Sequence, residues 1–168
     1  KIHSQYSICE GAVKIDDLQD FSKTNKLKSL GLCDTSNLCG ALEFAEKISK
    51  VGTQPIIGTQ INFKYGDCIG LLPLFALNEE GYKRIIKLSS ISFLENDELS
   101  DPHVDFKDLL DDNSGVAVFS GTIFGLFGEL YNKGKFSEVL DLYKKLKLNF
   151  GDRFYIEIQR HNDQNESG

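Results

Sequence analysis

The sequence contains no methionine, only three histidines, and four cysteines with no CxxC pair. Cys9, Cys33, Cys39 and Cys68 therefore read as reduced, mostly buried thiols, as suits a cytosolic protein. Positive charge is also short. With 19 Lys and Arg against 25 Asp and Glu, the net charge is -6. That balance argues against this segment gripping nucleic acid by itself, because phosphate binding needs clustered Lys and Arg. No signal peptide and no bilayer-spanning apolar run is present, so the expectation is a chain in the cytoplasm, with no membrane contact. The missing methionine, the start at Lys1 and the polar run from Arg160 to Gly168 predict a piece of a longer polypeptide.

What is present suffices for a core. At 168 residues, 40% hydrophobic and 11% aromatic, the chain is expected to form one domain. Its organising stretch runs from Leu30 to Gly40, where an apolar run stops at Asp34 and Ser36-Asn37 can start a helix. An α/β protein builds its site at such a strand end, which makes Asp34 the first candidate for one.

In chain order, Val13, Ile15, Leu18 and Phe21 recur at helical spacing, with Asp16 and Asp17 where the helix dipole favours acids, and predict a helix from Ile15 to Asn25. Leu30 to Asp34 predicts a buried strand. Ala41 to Val51 predicts a helix with Leu42, Phe44, Ala45 and Ile48 inward. Ile56 to Phe63 and Ile69 to Ala76 predict strands, the second so apolar that it should lie in a parallel sheet, with Pro73 forcing an irregularity, an edge or a break. A helix opens at Glu79, and a polar loop covers Asn96 to His103. Then come a short helix at Phe106 to Leu110, a strand from Gly115 to Ser120, helices at Thr122 to Tyr131 and Phe136 to Phe150, and a strand from Arg153 to Gln159. This alternation predicts a parallel sheet with strands near positions 4, 32, 58, 72, 117 and 156, too few for a complete β/α barrel.

Phosphate-binding and nucleophile motifs are missing. No GxGxxG or Walker sequence follows a strand, and Ser120 lacks the glycine two residues before it that a nucleophile elbow requires, so Ser120 reads as a helix cap. His3, Asp34, Gln60, Thr122 and His161 all fall at predicted strand ends, but only His3, Asp34 and His161 have metal-ligating chemistry. Tyr6, Tyr82 and Tyr155 read as core or interface aromatics, Lys144-Lys145-Leu146-Lys147 as a solvated helix face, and His103 has no assigned role.

Several blocks, in order and spacing, carry a resemblance: His3 to Ser7, Gly11-Ala12, Gly31 to Gly40, Gln54 to Gly58, Asn78 to Tyr82, and Phe154 to His161. They resemble the polymerase and histidinol phosphatase (PHP) domain, and more narrowly the PHP domains at the N-terminus of bacterial DNA polymerase III α subunits. The resemblance implies a distorted seven-stranded β/α (TIM-like) barrel, incomplete in this fragment. Residues 1–168 would be one PHP domain, with the final strands and the polymerase domains beyond the chain.

The resemblance also implies metal ligands at strand ends, and here the sequence departs from the pattern. Lys1 replaces the first histidine of His-x-His, Thr35 that of Thr-Asp-His, and Gln60 a glutamate. Leu71 replaces another histidine and Thr122 a cysteine. His3, Asp34 and His161 remain as a degenerate site, and the family's last metal motif would fall beyond residue 168. The expectation is a catalytically silent domain, with no cofactor or at most a weakly held zinc or manganese ion. Nucleotidyl transfer in the parent DNA-directed DNA polymerase would use magnesium elsewhere. The implied partners are the other polymerase domains of the same chain and the proofreading exonuclease (ε) subunit, with DNA met through the parent enzyme. Two alternatives stay open: an active metal-dependent phosphoesterase or 3′-5′ exonuclease, and a free-standing binding module.

Overall fold

The computed structural model describes residues 1–96 and 100–159. Its centre is a mixed six-stranded sheet in the order β1 (Ser29–Thr35), β2 (Gln54–Tyr65), β3 (Cys68–Ala76), β5 (Val116–Phe119) and β6 (Phe154–Tyr155), with β4 (Val104–Asp105) beside β2. Helix α1 (Ile15–Asn25) buries Ile15 and Leu18, and α2 (Ala41–Lys50) buries Phe44 and Ile48. Together they cover Leu32 of β1 (Ser29–Thr35). Burying Phe44 and Ile48 contributes about 1.5–3 kcal/mol each. Leu42, expected inward, is 72% exposed, because the α2 stripe that meets β1 runs through Phe44 and Ile48.

Strand β2 (Gln54–Tyr65) lies parallel to β1, from Ser29 opposite Gln54 to Thr35 opposite Gln60. The next strand overturns the parallel-sheet expectation. After a two-residue turn, with Gly66 at a φ of 62°, β3 (Cys68–Ala76) folds straight back along β2 as a hairpin. It is antiparallel also to β5 (Val116–Phe119). Its unbroken apolarity comes from lying at mid-sheet, buried on both faces, which a central antiparallel strand shares with a parallel one. Pro73 stands opposite Gln60, one residue before the ladder to β5 begins at Leu74, so the missing N–H falls at a break in that ladder.

Helix α3 (Glu79–Leu94) starts on Asn78, whose side chain accepts from the Gly81 N–H at 2.9 Å. Gly81 is required there: a Cβ would sit 1.8 Å from the Gly115 carbonyl oxygen. Strand β4 (Val104–Asp105), which the sequence did not suggest, pairs with the far end of β2 and leads into α4 (Phe106–Asp111). Helices α5 (Leu126–Asn132) and α6 (Phe136–Phe150) follow β5, and β6 (Phe154–Tyr155) runs parallel to it.

The expected long strand from Arg153 to Gln159 pairs only at those two residues, with Ile156 and Ile158 58% and 79% exposed. The segment near position 4 makes only single bridges, Ile2 to Leu32 and Ser4 to Val13. The main core, including Phe63, Leu72, Leu74, Leu88, Leu126 and Leu142, packs one face of the sheet under α3 to α6. Cys33, Phe75 and Ala117 form a smaller cluster with Ile56 and Phe119.

Candidate functional site

Asp34 lies near the end of β1 and is 1% exposed. Its Oδ1 accepts from the Ser4 backbone N–H at 2.6 Å and the Ser7 hydroxyl at 2.7 Å, and its Oδ2 from the Ser4 hydroxyl at 2.8 Å. The serines are themselves fixed. Ser7 Oγ accepts from the Thr35 N–H at 3.0 Å, and Ser4 Oγ from the Tyr6 N–H at 3.2 Å. Residues 4–7 are thus wrapped around the carboxylate, which takes three charge-assisted hydrogen bonds from them.

A second network forms the rim. Lys1 Nζ donates to Gln60 Oε1 at 2.7 Å, Gln60 Nε2 donates to Thr35 Oγ1 at 2.8 Å, and Thr35 Oγ1 donates to the Glu10 carboxylate. Lys1 Nζ is also 3.8 Å from Glu157 Oε2, with these side chains 7% and 10% exposed. Glu157 is held in place by its N–H, which donates to Ser120 Oγ at 2.9 Å, and by Gln159 Nε2, which donates to its Oε1 at 2.8 Å. His3 Nδ1 lies 3.9 Å from Glu10 Oε2 and has no hydrogen-bond partner. Burial, and then the Lys1 ammonium, hold the His3 pKa below its ordinary 6.5, so the ring is neutral at pH 7.

The rim encloses a cleft of about 280 Å³ lined by Lys1, His3, Gln60, Leu71, Thr122 and Gln159, with Glu10 at its side. Five of the positions singled out in the sequence, Lys1, His3, Gln60, Leu71 and Thr122, therefore do meet at one mouth. Thr35 joins them through Gln60. Asp34 does not line the cleft, and His161 lies outside the described residues. Ser120 caps no helix, since α5 begins after Gly125; it anchors Glu157 instead. Asn37 likewise starts no helix: its Oδ1 accepts from the Cys39 N–H at 3.0 Å in a local turn, and α2 begins after Gly40.

Sequence reasoning missed Ser4, Ser7, Glu10 and Glu157. Hydroxyls three apart in a loop carry no pattern, and Glu157 falls within the strand expected from Arg153 to Gln159. Among the described residues no group of three or more His, Cys, Asp and Glu is gathered to hold a metal. The donor set does not fit one: an ammonium, a neutral amide and a leucine stand at the mouth, and the best carboxylate is already engaged.

Fold and site together define an α/β domain with a polar cleft at the strand ends, of the type that elsewhere carries catalytic or metal-binding groups. The chain belongs to the PHP domain family, whose pattern matches residues 1–161. Curated relatives include the DNA polymerase III subunit alpha of Rickettsia felis, 36% identical over 96% of this chain and 13% of its own length. Those of Caulobacter vibrioides (34%, 96% of this chain) and Borreliella burgdorferi (36%, 95% of this chain) are each covered over 15% of their length. The chain thus spans about one seventh of the length of these relatives. A solved chain from Bifidobacterium adolescentis, 15% identical over 85% of this chain and 52% of its own, has a TM-score of 0.41, too low to argue from. No helix among the described residues is long and apolar enough to cross a membrane.

Proposed function

We propose that this chain is a catalytically silent PHP domain of a bacterial replicative DNA polymerase α subunit, serving as a structural and docking element. One observation carries the silence: the Asp34 carboxylate is bonded to Ser4 and Ser7 and does not line the cleft, while the Lys1 ammonium stands at the mouth on Gln60. A divalent ion there would meet a fixed positive charge and too few free anionic donors. The polymerase assignment draws its support from the relatives and from the near-complete family match.

On this reading the mixed sheet is the larger part of a distorted seven-stranded β/α barrel, completed by strands beyond residue 168, and residues 1–168 belong to one domain. Nucleotidyl transfer, with its magnesium ions, belongs to other domains of the parent chain. The partners are those domains and the proofreading ε subunit, DNA is met through the parent enzyme, and the setting is the cytoplasm. Lys1, Thr35, Gln60, Leu71 and Thr122 mark abandoned ligand positions, and His3, Asp34 and His161 the residue of the old set.

The test is metal content together with phosphoester and 3′-5′ exonuclease assays in manganese or zinc. The expected result is no stoichiometric metal and no turnover. Manganese-dependent hydrolysis that His3→Ala abolishes would replace this reading with the active-enzyme alternative.

A further inference from the structure

The two ends of the sheet meet across the mouth. Ile2 bridges to Leu32, and its carbonyl accepts from the Cys33 N–H at 2.8 Å, so Lys1 sits at the β1 edge. Glu157 lies two residues past β6, at the opposite end of the order β1-β2-β3-β5-β6. With neighbouring strands about 4.8 Å apart, a flat sheet would hold these edges about 20 Å or more apart. Lys1 Nζ is nevertheless 3.8 Å from Glu157 Oε2, so the sheet curls its two edges toward one another.

Between the edges lies a largely apolar gap of about 460 Å³, walled by Ile2 and Leu30 from one side and by Ala117, Phe119 and Tyr155 from the other. Phe75 also lines it, and Cys33 packs in the same cluster. No ladder joins the N-terminal segment to β6 among the described residues, and Glu157 Oε2 has no hydrogen-bond partner. Among the described residues, its ion pair with Lys1 spans the edges.

We infer that Lys1 and Glu157 form an electrostatic clasp that holds the two sheet edges together and keeps Cys33, packed beside the apolar gap, out of solvent. The clasp goes beyond the functional reading and acts whether or not the mouth is silent. Lys1 reaches across the mouth, and Ser120 and Gln159 aim Glu157 at it. An ion pair this buried is costly to break from one side, because the remaining charge stays desolvated and alone.

Two cysteines supply the test. Cys33 and Cys68 are both fully buried, the first in the gap cluster and the second in the main core under the helices. In the full 168-residue chain with exposed Cys9 and Cys39 replaced by serine, thiol labelling is followed by mass spectrometry. Glu157→Gln is expected to speed labelling of Cys33 by about tenfold or more, with Cys68 unchanged, because opening is local. The charge swap Lys1→Glu with Glu157→Lys is expected to restore slow labelling. Equal acceleration of both cysteines, no acceleration of either, or a swap that leaves Cys33 fast would each overturn the clasp.

Discussion

The inner loop around Asp34 and the outer rim around Lys1 stand side by side at the same strand end, yet they are built on opposite plans. In the loop a single buried carboxylate collects three donors from Ser4 and Ser7 and is kept out of the cleft. On the rim, polar groups are chained end to end from Lys1 through Gln60 and Thr35 to Glu10, and two buried acceptors, His3 Nδ1 and Glu157 Oε2, have no hydrogen-bond partner. A residue that looks like a ligand in the sequence can thus be a fold determinant. Only its neighbours decide.

The largest expected effect breaks the loop. Asp34→Ala strands the Ser4 N–H and two hydroxyls in a buried space and should cost about 3–5 kcal/mol, read by urea denaturation. If Asp34 served the cleft rather than the fold, stability would barely change. Ser7→Ala should cost less, about 1–3 kcal/mol, since it removes one of three bonds to Asp34 and leaves the Thr35 N–H unpaired. Glu10→Gln, on the exposed side of the rim, should cost under about 1 kcal/mol by the same measurement. A loss as large as that of Asp34→Ala would erase the distinction between the two regions.

The smallest effect is a pH slope. His3 has its folded pKa depressed by burial and Lys1, so below its ordinary 6.5 the unfolded chain binds the proton more readily. Its contribution to stability is fully present above pH 6.5 and is lost as pH falls from there through the lowered folded value. His3→Gln should flatten that part of the stability profile. An unchanged slope would mean that the ring is not held neutral by the rim.

Much of this frame was legible in the residues. The first helix has the predicted bounds because its apolar spacing and early acids act locally, and β1 and β5 announce themselves as short apolar runs between turn residues. The direction of β3 was not legible, since a continuous apolar run says that both faces are buried and nothing about which way the strand points. Pro73 hinted at trouble but could not say that the break lay in the ladder to β5. Lys1, His3, Gln60, Leu71 and Thr122 do converge, as strand-end positions should. A strand-end carboxylate such as Asp34 suggests a ligand in the sequence, whereas the serines that hydrogen-bond to it become visible only in three dimensions.

Denaturing the wild-type chain and Asp34→Asn with and without manganese separates a fold-determining Asp34 beside a metal-free cleft from a metal-binding site. Any ion bound only by the folded state would raise wild-type stability by about 2.7 kcal/mol at a concentration 100 times its dissociation constant. Manganese is expected to leave the wild type unchanged, and Asp34→Asn to lose the same stability in both conditions. Stabilisation of the wild type by manganese, lost in Asp34→Asn, would contradict both.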